Sequence, residues 1–292
     1  MERELSGATF YVDLTSKGGI LHSNPEVVEK VARNLQKVFH SLVSNSEIDS
    51  TPTKPRFPDR GFSREDQSYV PLTHLLNKII KTANRHISMP SPLSELRFHP
   101  FDKEVNDTYG SYKGLKPDGV GILSELTPVE LSWDRIEVTF KAKASIPDMI
   151  WQSGAYARCC LSSNHKRSFA FVIGFQHRTL EAYIFVYNRS GLSSSHPLDL
   201  KTPGGRKGLV RHIVGILSIK DEASYGLDTT RNKDTFCINN RYYTILHQIY
   251  VRNCLRGRCT MVYGLQGMYT WILSAGRLLH RIPSRRRQSH PS

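Results

Sequence analysis

The chain has 292 residues, is 39% hydrophobic and 23% charged, and carries a formal net charge of +14. That length allows one large domain or two ordinary ones, and the charge favours polyanionic partners, nucleic acid first. The longest strongly apolar run, Phe169 to Phe175, is far short of the roughly 20 residues that cross a bilayer. The opening Met1-Glu2-Arg3-Glu4-Leu5 lacks the apolar stretch of a signal peptide, so the expected location is intracellular, cytoplasm or nucleus, without a membrane.

In chain order, Asn24 and Pro25 supply a helix start, and Val27, Val28, Val31, Leu35, Val38, Phe39 and Leu42 recur at helical spacing. The polar stretch from Ser44 to Gln67 reads as a linker, set at 44–70 within an N-terminal helical region 1–89. Pro71 opens a second helix with the stripe Leu72, Leu75, Leu76, Ile79, Ile80, Ala83 and Ile87. From Leu96 the pattern turns to strands. Ile136, Val138, Phe140 and Ala142 alternate with Glu137, Thr139, Lys141 and Lys143, and a strand is predicted there. A helix over 147–161, a hairpin from Ser168 to Tyr187 and a helix over 206–219 follow. The fold class is α/β (α+β): a mixed sheet with packed helices in a core domain 90–235, preceded by helices. Gly204-Gly205-Arg206-Lys207-Gly208 reads as a glycine-rich loop, and Ser193 to His196 as a polar one.

The five cysteines form no Cys-x-x-Cys pair and no zinc set with histidine, so reduced, mostly buried thiols are expected. No acid follows Asp234, whereas nine arginines do, from Arg241 to Arg287.

Two constellations carry chemistry. Asp118 follows Pro117 at a strand start; Glu137 and Lys141 share one strand face; Gln152 and Tyr156 lie one helical turn apart. An acid after proline, an acid-plus-lysine strand and Gln-x-x-x-Tyr resemble the PD-(D/E)xK nuclease core in its RecB-like form. The resemblance implies that the acids, Asp118 foremost, hold Mg²⁺, that the lysine steers water, and that Gln152 and Tyr156 help to bind DNA. The chain departs from it two residues before Lys141, where Thr139 stands instead of a carboxylate. Glu137 is one side-chain step too far, roughly 7 Å along the strand. A nuclease-like, nucleic-acid-binding scaffold without cleavage is the expectation.

The second constellation runs further. Gln152-Ser-Gly-Ala-Tyr156-Ala157-Arg158 precedes the strand Phe169 to Gly174, then Ile184-Phe-Val-Tyr187-Asn188-Arg189-Ser190-Gly191, then Leu209-Val-Arg211-His-Ile-Val-Gly215-Ile-Leu217. This order resembles the N-terminal half of the fungal-type protein kinase family, with Asn188 in place of the usual Asp. Leu255 to Tyr263 resembles the family's Gly-Arg-x-Thr-x-Val start of the kinase lobe, placed at 236–263. That resemblance implies ATP contacts at Gly257, Arg258, Thr260 and Val262, and ATP with Mg²⁺ as the family's cofactors. Val-Ala-Ile-Lys, His-Arg-Asp and Asp-Phe-Gly do not occur. The expectation is therefore a truncated family pattern, inactive in phosphoryl transfer and binding neither cofactor, ending in a disordered or aberrant basic tail over 264–292. A regulatory or interaction domain with no chemistry is the remaining alternative.

Overall fold

A computed structural model describes residues 5, 7, 9–16, 19–43, 57–58, 60–88, 91–105, 114–123, 131–230, 235–239, 241–251, 255, 261–266, 270–274 and 277–282. Eight strands form one mixed sheet: β1 (Thr9–Tyr11), β2 (Leu96–Pro100), β3 (Gly119–Leu123), β4 (Val138–Lys143), β5 (Phe169–Gln176), β6 (Glu181–Asn188), β7 (Gly191–Ser194) and β8 (Leu198–Asp199). Their order across the sheet is β1-β7-β6-β5-β4-β3-β2, with β8 on β6. Only β1 with β7 and β4 with β5 run parallel. Among the described residues the α-helices are α1 (Pro25–Val43), α2 (Tyr69–Ala83), α3 (Ile146–Ser163) and α4 (Pro203–Leu217). Helix α3 makes the crossover that a parallel β4–β5 pair requires.

Helices cover both faces, so the central strands are buried throughout rather than alternating with solvent. On one face α1, α2 and α4 pack over Val138, Phe140, Ala142, Phe171, Ile173, Ile184 and Val186. On the other, α3 packs over Val120, Ile122, Val172, Tyr183, Phe185 and Tyr187. Gly119 lies against the Phe140 ring, and a Cβ there would occupy the ring's own space.

The helix starts follow from local chemistry. Asn24 Oδ1 accepts the Glu26 amide at 2.9 Å, and Thr202 Oγ1 accepts that of Gly205 at 3.0 Å. Gly204 to Gly208 is thus the first turn of α4, not a loop, and Gly205 is needed where the helix start meets the Asp199 backbone. Ser193 and Ser194 likewise belong to β7 rather than to a loop.

The stretch read as a linker is packed at its C-terminal end. Phe57 and Phe62 are buried, and both the Phe62 amide and carbonyl bond His177 in the β5–β6 turn, at 2.8 and 2.9 Å. Phe57 makes edge contacts with Phe62 and Phe175. Two rings anchor a segment whose average composition is polar. Residues 44–56 lie outside the described set.

Five further strands, β9 (Thr235–Ile238), β10 (Arg241–Val251), β11 (Met261–Gln266), β12 (Thr270–Ser274) and β13 (Arg277–Ile282), form a second, antiparallel sheet in the order β13-β12-β11-β10-β9. Strands β12 and β13 run through the stretch read as tail. Their sequence there holds Trp271-Ile272-Leu273 and Leu278-Leu279, a hairpin's worth of strand-forming residues among the arginines.

Burial lowers the His212 and His99 pKa values below the ordinary 6.5, and His212 Nδ1 sits 2.8 Å from the Gly208 carbonyl. The unfolded chain therefore takes up protons first as pH falls. Stability present above about pH 6.5 is expected to decline below it, which urea midpoints from pH 8 to pH 5 would register. A His212→Gln variant should flatten that decline; an unchanged slope would remove His212 as its source.

Candidate functional site

Strand pairing places Val120 opposite Thr139, and Thr139 opposite Val172. Asp118, Thr139 and Lys141 therefore fall on the α3 face, while Phe140 and Ala142 turn to the other. Asp118 sits where the chain enters β3, almost wholly buried. Its Oδ1 accepts Lys141 Nζ at 2.6 Å and its Oδ2 accepts the Ala142 amide at 2.7 Å. The Tyr69 hydroxyl, from α2, lies close enough to this carboxylate to favour its charged form. The ion pair is almost dry, with side-chain exposures of 6% for Lys141 and 3% for Asp118. Burial pushes the Asp118 carboxyl up, and Lys141, Ala142 and Tyr69 pull the other way.

Beside this pair, between the approach to β3 and helix α3, lies a cavity of about 380 Å³. Lys116, Lys141, Trp151, Gln152, Tyr156 and Arg158 line it. Tyr156 donates its hydroxyl to the Lys116 carbonyl at 2.5 Å and stacks on buried Trp133 with ring centroids 5.8 Å apart. Burial pushes its pKa up. Asp118, Lys141, Gln152 and Tyr156 thus come together at one end of the sheet.

Glu137 does not join them. Its Oε2 accepts Arg167 Nη2 at 2.7 Å and the Tyr225 hydroxyl at 2.6 Å. Arg167 Nη1 also donates to the Ile136 carbonyl at 2.7 Å. This carboxylate holds the segment after α4 against the start of β4. Lys143 bonds Glu65 at 2.8 Å, so both strand lysines already face a carboxylate. Among the described residues, no group of three or more His, Cys, Asp or Glu could hold a metal ion. Asp118 is the candidate ligand, and both its oxygens are occupied by donors. The donor set does not fit Mg²⁺, which wants free carboxylate oxygens.

Tyr69, Trp133 and Glu65 complete the surroundings and were not evident in the sequence. Tyr69 opens an ordinary amphipathic helix, and nothing in its spacing ties it to Asp118. Of the residues resembling an ATP loop, Gly257, Arg258 and Thr260 lie outside the described set, and Val262 is in β11 opposite Tyr250. The Asn188 turn is well defined: its Oδ1 accepts the amides of Ser190 and Gly191 at 2.8 and 3.1 Å. An Asn side chain thus closes this turn. Arg189 then reaches the Leu161 carbonyl at the end of α3 at 3.1 Å. Cys159 and Cys160 are buried and in no disulfide, and burial pushes Cys160 up to about 12.

Among the described residues, no helix is long and apolar enough to cross a membrane. Neither the curated proteins nor the solved structures contain a match to the chain. Residues 120–267 match the fungal protein kinase family. The matched span begins in β3 and ends just after β11. It takes in α3 with Tyr156-Ala157-Arg158, the β5–β6 pair, the Asn188 turn and α4. Matched over half of its length and in the order its elements follow, the chain belongs to the fungal protein kinase family.

Proposed function

We propose that this chain serves its family as a binding module and does not itself transfer phosphate. The observation that carries this reading is the distribution of acids: none follows Asp234. Phosphoryl transfer needs a base for the hydroxyl and carboxylates for Mg²⁺, aligned on the phosphate. Upstream, Glu137 is engaged by Arg167 and Tyr225, Glu181 by Thr179 and Tyr183, and Asp228 by Thr230. Incubation of the purified chain with radiolabelled ATP, Mg²⁺ and a generic protein substrate should give no labelled product. Labelling that disappears in Gly257→Asp would overturn the proposal.

A second reading, nucleic-acid binding on a nuclease-like scaffold, draws on the cavity. Lys141, Gln152 and Tyr156 line one hollow, and Asp118 lies beside it on Lys141. Lys116 is exposed at its edge, and the net charge is +14. Cleavage is not expected, because Thr139 offers no carboxylate and Asp118 is tied to Lys141. DNA binding should fall steeply with salt and weaken in Lys116→Ala. Indifference to salt and to that substitution would remove this reading.

A further inference from the structure

Strand β10 has a half-buried side and an open one. Across its neighbours Tyr243 pairs with Phe236 and Ile245 with Leu265, and these two are the half-buried residues of 241–250; Gln248, opposite Tyr263, is exposed. Tyr263 and Leu265 are buried, and the Tyr263 hydroxyl lies 2.7 Å from His165 Nδ1, just past the end of α3. That is the inner face. On the outer face Tyr242 pairs with Cys237, His247 with Gly264 and Tyr250 with Val262.

The pairing with β11 slips twice, between Ile245 and His247 and between Gln248 and Tyr250. Leu246 and Ile249 are the added residues, each without an opposite number, and such bulges re-aim side chains. Both point outward. Tyr242 is 73% exposed, Leu246 55%, and Ile249 and Tyr250 51% each. An antiparallel sheet packed on one face normally turns polar residues to water on the other. Here Tyr242, Leu246, Ile249 and Tyr250 stand exposed with Thr244 and His247 between them, and an exposed apolar patch of this kind calls for a covering partner.

The choice of occupant follows from charge and shape. A second copy would bring another +14 and the same acid-free stretch after Asp234, so self-pairing is repelled. Residues 283–292 offer no large apolar side chain and include Arg285-Arg286-Arg287. Tyr242 and Tyr250 could each stack a base, but Leu246 and Ile249 between them offer no ring and call for an apolar side chain instead. What fits is an apolar stripe flanked by carboxylates. At a rise of about 3.3 Å per residue, with the two bulges discounted, Tyr242 and Tyr250 are roughly 20 Å apart. About 13 helical residues span that distance.

We propose that the outer face of β10 docks an acidic amphipathic helix of a partner protein on Tyr242, Leu246, Ile249 and Tyr250. The probe is a fluorescent peptide of about 18 residues, with leucines at helical spacing and glutamates between. Its control is a scrambled isomer of identical composition and charge. The amphipathic isomer should bind the full chain at least about tenfold more tightly, and a Leu246→Ser/Ile249→Ser variant should lose that preference. In the unsubstituted chain the peptide should slow hydrogen exchange of the β10 amides, a measurement that needs no variant to fold. Equal binding of the two isomers, or protection confined to other elements, would overturn the proposal. So would a single-stranded oligonucleotide that protects β10 where the peptide does not, or a dimer abolished by the same substitutions.

Discussion

Asp118→Ala is expected to cost the folded chain about 3–5 kcal/mol, the usual penalty for stranding one member of a buried ion pair. Lys141 would lose its carboxylate at 2.6 Å in a place where its side chain is only 6% exposed. The Ala142 amide would lose its acceptor as well. Lys141→Met should cost less, because the remaining carboxyl can take up a proton, a course that burial already favours. The double variant Asp118→Ala/Lys141→Met should recover much of the loss, since a well-packed apolar pair commonly matches a buried ionic one. Urea unfolding of the four proteins measures this as a double-mutant cycle. Losses that simply add would show that the two groups do not depend on each other.

That cycle also separates a structural role from a catalytic one. A pair poised to hold Mg²⁺ would be repelled internally without the metal and would gain stability when it is added. The Asp118–Lys141 pair is complete without any ion. Stability indifferent to Mg²⁺ is the outcome in keeping with a binding or structural role for this end of the sheet.

How far the sequence leads depends on the scale of the feature. The central strands were legible because Val138, Phe140 and Ala142 alternate, and because the Phe169–Phe175 and Tyr183–Tyr187 runs are apolar enough to be buried on both faces. Helix α3 was legible from its proline start and apolar positions. Strand β1 was not: Thr9–Tyr11 is three residues long and owes its place to β7 alone. The packing of 57–67 was hidden because two phenylalanines are diluted by polar neighbours, and what fixes them is His177, distant in sequence. At the site, side-chain alternation put Glu137, Thr139 and Lys141 on one strand face. It could not show that Glu137 is held by Arg167 and Tyr225, since those partners come from beyond α3 and α4. Charge partners set by tertiary contacts leave no local periodicity. The two bulges in β10 are of the same kind, because a register shift exists only relative to the neighbouring strand.

Arg167→Met should be the other severe substitution. The guanidinium bonds the Ile136 carbonyl and the Glu137 carboxylate, each at 2.7 Å, and its carbon stands 5.6 Å from the centre of the Tyr225 ring. Removing it leaves a buried carbonyl without a donor and Glu137 with only the Tyr225 hydroxyl, a loss of roughly 3 kcal/mol or more. The effect should also be directional. Residues 219–230 connect α4 to the second sheet, and they are fastened by the Arg167–Leu227 bridge, by the Asp228 amide on the Lys166 carbonyl at 2.8 Å, and by Tyr225 on Glu137. Hydrogen exchange should therefore quicken first at Tyr225 to Asp228 and in β9, while β5 and β6 stay protected until global unfolding. Arg167→Lys keeps the charge but cannot reach both acceptors with one ammonium, so it should recover only part of the loss. If Arg167→Met exchanges uniformly faster in both sheets, the triad contributes to global stability without specifically fastening the connection.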